Sequence, residues 1–513
     1  MHDAELPHTP GGAGAATRHH GVRTFAPIAT LMLAGSLVGC TVGPRFSRPP
    51  APVVTTYSPE PFPAQTASAA GAQGGAQRLS ENANVGTRWW AHLGVPALDT
   101  LIAQSLEASP TLAATEATLR QAQELYAAQA GSTRYPTADA TLGEQRQRFN
   151  PGALGQAGEP REFTLLNASV AVRYKLDLTG GNARALEALA ARTDYRRFQL
   201  TGARLTLAAS IASAAIAEAR LSAQVDEMES ALRDDDEQLA LSRERLRLGA
   251  ASPDEVLGRQ VQAEQSRASV PAQRKLLQQT AHLLAVLAGR APGAGDLPRF
   301  ALETFVLPSD LPLVIPSELV RQRPDIQAAE ALLHAANAEY GVAVSRLYPQ
   351  INLSASVGSQ ALSSGALFGS GSMVWSLLGQ LTQPLLNKGL PSEARAARAA
   401  FDAAAANYQS VVLESLRNVA DALLALDNDA QSFAALATAD AAARGALESV
   451  RRQYALGAAS YVQVLSAGQQ SHQTRLALVA ARAQRLVDTV ALYQAVGDGD
   501  RLESGDAPPR VKP

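Results

Sequence analysis

The sequence is poor in the residues that build cross-linked, metal-bound or nucleic-acid-binding folds. One cysteine in 513 residues excludes a disulfide framework, an iron–sulfur cluster and a cysteine-based zinc site. Lys and Arg total 45 against 47 Asp and Glu, so no basic excess exists to hold nucleic acid. No uninterrupted run of 18 apolar residues occurs, so the sequence predicts no transmembrane helix. Aromatic residues make up only 5%, and the 46% hydrophobic fraction is mainly alanine and leucine, which indicates long helices.

Motifs for catalysis and cofactor binding are also missing. The sequence holds no Ser-His-Asp order, no His-Glu-x-x-His and no phosphate-binding loop. The acidic run from Asp234 to Glu237 spreads over a full turn of a predicted helix, so we interpret it as a solvated face and not as a metal site. We therefore predict a protein that is not an enzyme and holds no metal or cofactor.

The single cysteine, Cys40, closes an apolar stretch that follows Arg18 and Arg23. A charged segment, an apolar segment and small residues at the cut form the layout of a secretory signal. Leu37-Val-Gly-Cys40 resembles the bacterial lipobox, in which the cysteine is acylated and becomes the mature N-terminus. We predict a signal peptide over residues 1–39, N-palmitoyl and S-diacylglycerol groups on Cys40, and an outer-membrane destination, because Thr41 and not Asp follows. An ordinary buried cysteine is the alternative.

A composition rich in Pro, Ala, Gly and Ser follows the cysteine, and it predicts an extended acylated tether over residues 40–80. Beyond it the chain carries an internal repeat. Residues 243–289 align without gaps on residues 451–497, with 15 identities in 47 positions. Leu-Gly-Ala-Ala-Ser is the best-matched segment of both copies.

A second match supports the duplication. Residues 109–117 resemble residues 323–331 at nearly the same offset, and both copies run on to a Tyr-Pro pair. Two matches in the same order indicate a duplicated unit. We predict repeats over residues 81–297 and 298–497, followed by a disordered tail over residues 498–513.

Each repeat is predicted to contain a helix of about 25 residues, two strands, a very long helix and a returning helix. In residues 167–177 and 351–358, apolar side chains alternate with polar ones, the period of a strand with one apolar face. The four strands are predicted at about residues 137–147, 163–177, 350–360 and 373–383.

These strands suit a membrane barrel or, as the alternative, a half-exposed sheet of a soluble protein. Export and lipidation favour the barrel, because in a bilayer only helices and closed barrels satisfy the backbone. Four strands cannot close a barrel, so the chain must oligomerise, and three copies would supply twelve strands.

The long helices, at about residues 183–248 and 392–456, break at Gly249 and Gly457. Val225, Leu232, Leu239 and Leu246 repeat every seven residues, which predicts left-handed coiled-coil packing. A helix of this length spans roughly 100 Å, the scale of a periplasmic crossing. Heptads alone do not distinguish a hollow helical barrel from a solid bundle.

With these features together, the chain resembles the outer-membrane efflux factors of the TolC/OprM group, and in particular their NodT-type lipoprotein branch. The resemblance spans about residues 36–497. The segments that carry it are Cys40-Thr-Val-Gly-Pro44, Trp89-Trp90, Arg323-Pro-Asp-Ile326, Tyr348-Pro-Gln-Ile351 and the paired Leu-Gly-Ala-Ala-Ser turns.

The resemblance implies a mainly α-helical homotrimer with a 12-stranded membrane β-barrel above a 12-helix α-barrel. It implies a passive duct of a tripartite efflux pump, which exports small toxic molecules across the outer membrane of a Gram-negative bacterium. Partners would be a periplasmic adaptor, an inner-membrane pump of the RND class and outer-membrane lipid. A duct for type I protein secretion and a non-conducting coiled-coil envelope lipoprotein are the alternatives.

The resemblance also implies a periplasmic aperture at the helix tips after Gly249 and Gly457. Family members often close this mouth with rings of carboxylates, and Glu255, beside Asp254, matches such an acid. In the second copy the comparable positions hold Gln463 and Ser466, and Tyr454 matches a tip tyrosine. The expected acidic ring therefore comes mainly from the first copy.

Overall fold

A computed structural model describes residues 41–80, 86, 88–155 and 157–497. The predicted signal peptide, Cys40 and the C-terminal tail lie outside these residues. The helices are α1 (Pro96–Ala108), α2 (Pro110–Arg134), α3 (Gly181–Arg247), α4 (Pro253–Leu287), α5 (Pro316–Gln322), α6 (Pro324–Ser345), α7 (Gly389–Ala455) and α8 (Tyr461–Val496). The strands are β1 (Arg78–Ser80), β2 (Thr137–Phe149), β3 (Arg161–Leu176), β4 (Asp310–Pro312), β5 (Gln350–Ala361) and β6 (Met373–Thr382).

The fold is mainly helical, and one order of elements occurs twice. The first copy runs α1–α2–β2–β3–α3–α4 and the second runs α5–α6–β5–β6–α7–α8. The two long helices, α3 and α7, have 67 residues each. The sequence analysis missed the short helices α1 and α5, which are separated from the next helix by a single residue that precedes a proline, Ser109 or Arg323. A residue before proline is disfavoured in the helical region, so the chain breaks there.

The four long strands form one antiparallel sheet in the order β2-β3-β5-β6. Their bounds lie within two residues of the predicted ones. The register pairs Thr137 with Arg173, and Val170 with Val357. Because side chains alternate between the faces of a strand, this register separates an apolar face from a polar one. The apolar face carries Leu142, Val170, Val172, Leu353, Val357, Trp375, Leu377 and Leu381, all exposed.

A small two-stranded parallel sheet joins β1 to β4 and brings the N-terminal segment against the start of the second repeat. The sequence analysis did not predict it, because three-residue strands carry no detectable alternation. The main hydrophobic core lies beside this sheet, between α1, α3, α8 and the segment before β4. Its largest members include Trp89, Trp90, Phe300, Phe305 and Tyr493.

The predicted heptad is partly buried in α3: Val225 and Leu239 are buried, and Leu232 and Leu246 are half-buried. The same helix contains an 18-residue window that is apolar enough, by length and composition, to cross a membrane. The prediction that no helix could do so is therefore wrong by this measure. More than half of that window is buried against the rest of the chain, which identifies it as core helix.

The N-terminal segment, predicted as an extended tether, packs along α6 with its first residues. Val42 donates to the Thr179 carbonyl at 2.9 Å, and the ring of Phe46 stacks on His334 with centroids 4.3 Å apart. Gly43 has a φ of +94°, and a Cβ there would lie 2.8 Å from Gly341 Cα. The close approach requires glycine at this position.

Candidate periplasmic aperture at the helix tips

The two helix tips are built by the same turn. After α3, Gly249 donates to the Leu246 carbonyl and Ala250 to the Arg245 carbonyl, at 2.9 and 2.7 Å. After α7, Gly457 and Ala458 make the equivalent bonds at 3.0 and 2.8 Å. Both glycines have a φ of +75°, the left-handed conformation that ends a helix in a Schellman motif. The repeated Leu-Gly-Ala-Ala-Ser segment therefore fixes two equivalent tips.

The helices that return from these tips are capped by serine. Ser252 Oγ accepts from the Glu255 amide at 3.2 Å at the start of α4. Ser460 and Gln463 form a capping box at the start of α8, with the Ser460 amide donating to Gln463 Oε1 at 2.7 Å. Gln463 is thus engaged in capping. Asp254 and Glu255 lie in the first turn of α4, where negative charge opposes the helix dipole favourably.

Glu255 is paired with a cation that the sequence analysis did not single out. Its Oε1 lies 3.6 Å from Arg245 Nη1, at the end of α3. The same Nη1 donates to the Tyr454 hydroxyl at 3.2 Å, and Nη2 donates to the Ala250 carbonyl at 3.3 Å. Arg245 thereby joins both helices of the first tip to α7 of the second. It also offsets part of the negative charge expected from Glu255.

A second contact between the tips centres on Tyr461, the first residue of α8. Its hydroxyl donates to Gln238 of α3, and its ring meets the Tyr454 ring with centroids 5.4 Å apart. The guanidinium of Arg259 lies over the ring at 3.8 Å, a cation–π contact. Burial raises the pKa of Tyr461 to about 12 and lowers that of Arg259 from its ordinary value.

The structure brings together only some of the residues that the sequence analysis predicts at the aperture. Glu255 and Tyr454 share Arg245, whereas Asp254 and Ser466 are exposed. The residues missed were Arg245, Arg259 and Tyr461. Their counterparts in the other repeat are Gln453, Ala467 and Pro253, so comparison of the two copies does mark these positions as specific to one tip. The sequence carries no comparable signal for which helices contact each other at the tips.

The acidic run before the first tip also serves contacts between helices. Asp235 accepts from Ser266 Oγ at 2.6 Å, and Asp236 pairs with Arg267 at 2.6 Å, both on α4. Asp234 lies 3.4 Å from Arg451 of α7. The run therefore faces three different neighbours and does not converge on one point. Among the residues that the structure describes, no group of three or more His, Cys, Asp or Glu could hold a metal ion.

Known proteins share this architecture. Outer membrane protein OprJ of Pseudomonas aeruginosa is 28% identical over 478 residues, which are 92% of this chain and 95% of OprJ. The toluene efflux pump outer membrane protein TtgC of Pseudomonas putida is 28% identical over 479 residues, with coverage of 92% and 95%. The open-state crystal structure of the MtrE outer membrane channel of Neisseria gonorrhoeae matches with a TM-score of 0.77 at 25% identity, covering 90% of this chain and 98% of that one.

The family comparison gives the same result over both repeats. The sequence profile of the outer membrane efflux protein family matches residues 101–290 and 315–498, so the matched segments include both long helices, both tips and all four long strands. The chain belongs to the outer membrane efflux protein family.

Proposed function

We propose that this outer-membrane efflux protein is the passive duct of a tripartite pump, a homotrimer that carries small toxic molecules from an inner-membrane RND-type pump to the exterior. The observation that supports the proposal is the four-stranded sheet, whose two outer edges have no partner strand within the described residues. Its edge strands β2 and β6 have 13 and 10 residues, and every residue in both is exposed. Long unprotected edges invite strand pairing with another chain. Pairing of β2 with β6 of the next copy would close twelve strands from three chains.

The two faces of the sheet suit a barrel in a bilayer. The apolar face carries Leu142, Trp375 and Leu377, which are 79%, 72% and 75% exposed. The opposite face is mainly polar: Arg173 pairs with Asp139 at 2.6 Å, and Ser356 bonds Ser376 at 2.8 Å. Apolar side chains facing outward and polar ones facing inward are the pattern of a membrane barrel with a wet lumen.

The helix tips suit a constriction with a docking surface. Arg245, Glu255 and Tyr454 hold the two tips together, and Asp254 remains exposed. Three copies of Asp254 and Glu255 around a narrow mouth would favour cations, and Arg245 would moderate that preference. Exposed apolar side chains surround both tips, which supports contact with a periplasmic adaptor. They are Leu248, Leu257, Val261, Leu456 and Val462.

Cys40, acylated at its N- and S-positions, would add a lipid anchor to the barrel. The packed segment from Thr41 to Pro44 supports this, because it places the chain that follows Cys40 beside Thr179 and Gly180, immediately after strand β3. An anchor there would lie near the bilayer that surrounds the barrel.

Reconstitution of the purified full-length chain in planar lipid bilayers tests the duct. We expect stepwise conductance from detergent-solubilised trimers. Bilayers that stay non-conducting after insertion of the protein would instead favour the coiled-coil envelope lipoprotein. Export of a fluorescent dye in a host lacking its own outer-membrane channel, measured with and without a co-expressed RND pump and adaptor, separates efflux from type I secretion.

A further inference from the structure

A histidine bridges the two repeats above the tips. His472 of α8 has Nδ1 2.8 Å from Glu227 Oε1 and Nε2 3.8 Å from Asp234 Oδ2. Both carboxylates belong to α3 and are seven residues apart, so they lie on one helix face two turns from each other. At 1.5 Å per residue, the bridge lies roughly 20 Å from the helix tips.

Other charges near the imidazole come from each neighbouring helix. Asp235 of α3 contributes a third carboxylate, which accepts a hydrogen bond from Ser266 Oγ of α4. From α7, Arg451 approaches Asp234 at 3.4 Å. On the helix of His472 itself, Arg475 points to Asp440 of α7 at 3.8 Å. Acidic groups therefore dominate around the ring.

The protonation state of the imidazole decides how many of the two carboxylates it can donate a hydrogen to. A neutral ring has one N–H, so when Nδ1 donates to Glu227, the lone pair of Nε2 faces the carboxylate of Asp234. A protonated ring presents an N–H to each acid. In agreement, the hydrogen bond that His472 donates to Glu227 raises the pKa of His472 above its ordinary value, with further contributions from Asp234 and Asp235.

We propose that His472 is a proton-operated latch between α8 and α3. The latch holds the second helix hairpin, formed by α7 and α8, against the first, formed by α3 and α4, and keeps the aperture from opening in an acidic periplasm. The proposal rests on the proposed function, since it requires that the tips separate when the duct opens. If α7 and α8 swing away from α3, the contacts of His472 with Glu227 and Asp234 must break. Proton uptake strengthens those contacts and therefore opposes the movement.

The direction of the pH effect follows from linkage. The latched state binds the proton more tightly than the unlatched state, whose histidine has an ordinary pKa near 6.5. The proton therefore contributes its full stabilisation of the latched state below about pH 6.5. This stabilisation is lost as the pH rises through the elevated pKa of His472 in the latched state. Openings should be rarer in acid and commoner in mild alkali.

The duplication supplies a reason to regard the latch as specific to one hairpin. The position equivalent to His472 in the first repeat is Glu264, which pairs with Arg267 on its own helix at 2.5 Å. Of these two equivalent positions, only the one in the second repeat therefore carries an imidazole.

The test is single-channel recording of the full-length trimer at about pH 5.5 and about pH 8.5, on either side of the histidine range. We expect the wild type to open about threefold to tenfold less often at the lower pH, the scale of one partly buried charge pair. His472→Gln keeps an amide donor for Glu227 but cannot titrate, so its opening frequency should not change over this range. A histidine-independent pH response, equal in the wild type and in His472→Gln, would overturn the latch.

His334→Gln is the matched control. His334 of α6 also meets a glutamate of α3, with Nε2 2.8 Å from Glu187 Oε1 and comparable exposure, but near the membrane-proximal start of α3. Because that pair is far from the tips, the variant should keep the wild-type pH response. Loss of the response in both variants would contradict a latch located at His472.

A structural measurement keeps failure of the latch separate from failure of the duct. Spin labels on the exposed positions Ala240→Cys of α3 and Gln470→Cys of α8, in the mature chain whose acylated Cys40 offers no free thiol, report the distance between the hairpins in detergent whether or not the protein conducts. We expect a longer or broader distance distribution at about pH 8.5 than at about pH 5.5, and none of this change with His472→Gln. An unchanged distribution in the wild type would overturn the latch even if conductance proved the duct.

Discussion

Arg245 at the end of the first long helix donates a hydrogen bond at 3.2 Å to the hydroxyl of Tyr454 at the end of the second. The two residues are not equivalent in the repeat, because Gln453 and Leu246 occupy the matching places. The duplicated scaffold thus carries, between its two tips, a contact that the repeat does not duplicate. This asymmetry gives each tip its own chemistry.

Arg245→Gln should loosen the tips. The arginine is about one-third exposed, and it holds Glu255 and Tyr454 at once. A pair of this exposure contributes up to about 1 kcal/mol, so we expect the opening frequency in planar bilayers to rise by up to about fivefold, with little loss of thermal stability. Arg243→Gln, on an exposed arginine of the same helix, is the control. Equal effects of both changes would assign the response to general surface charge.

Charge at the mouth is tested by neutralising the first tip. Asp254→Asn with Glu255→Gln should lower cation selectivity, measured as a reversal potential in a salt gradient, because two carboxylates per chain are lost. Gln463→Asp should raise it by adding a ring on the second tip. Since both acids also oppose the dipole of α4, the double variant should lose some thermal stability. A stability loss with wild-type selectivity would leave helix stabilisation as the whole role of these acids.

Much of this architecture was accessible from sequence because it rests on local signals. The tip glycines, the prolines that begin α2, α4 and α6, and the alternation in β3 and β5 each act within a few residues. The contacts of Arg245, Arg259 and His472 were not accessible, because each depends on which helices become neighbours. Charged residues on long helices are usually solvated, so no local pattern distinguishes these three.

Cys40→Ser should abolish lipid attachment. Cys40 is the only cysteine of the chain, so no second thiol can accept a diacylglycerol group. Incorporation of radiolabelled palmitate in cells should fall to background, and the signal peptide should remain uncleaved at that site. Labelling equal to that of the wild type would show that the lipobox interpretation is wrong.

The oligomeric state follows from the exposed strands. Native mass spectrometry of the full chain in detergent should show three copies per particle, because β2 and β6 each leave one edge unpaired within the described sheet. Pairing with a neighbour also predicts that amides of both edge strands exchange slowly with deuterium. A monomer that inserts stably into membranes, or rapid exchange along both edges, would contradict the twelve-stranded barrel.

Asp488→Asn should stabilise the protein in alkali. The side chain of Asp488 is buried on α8, where Gln484 donates to it at 2.8 Å and the carboxyl of Asp429 lies beside it. Burial raises the pKa of Asp488 to about 7, so between about pH 4 and pH 7 the folded state binds a proton that the unfolded chain has released. The stability linked to this proton is complete below about pH 4 and is lost as the pH rises through about 7.

Asparagine is neutral at every pH and retains hydrogen-bonding capacity toward both neighbours. Its advantage over aspartate should therefore be absent at about pH 4 and reach up to about 4 kcal/mol at about pH 8, visible as a higher midpoint of thermal unfolding in detergent. Asp421→Asn, on an exposed aspartate of α7, provides the control and should shift neither midpoint. An Asp488→Asn variant that is equally destabilised at both pH values would mean that the carboxyl is folded in its charged form, with Arg485 compensating it.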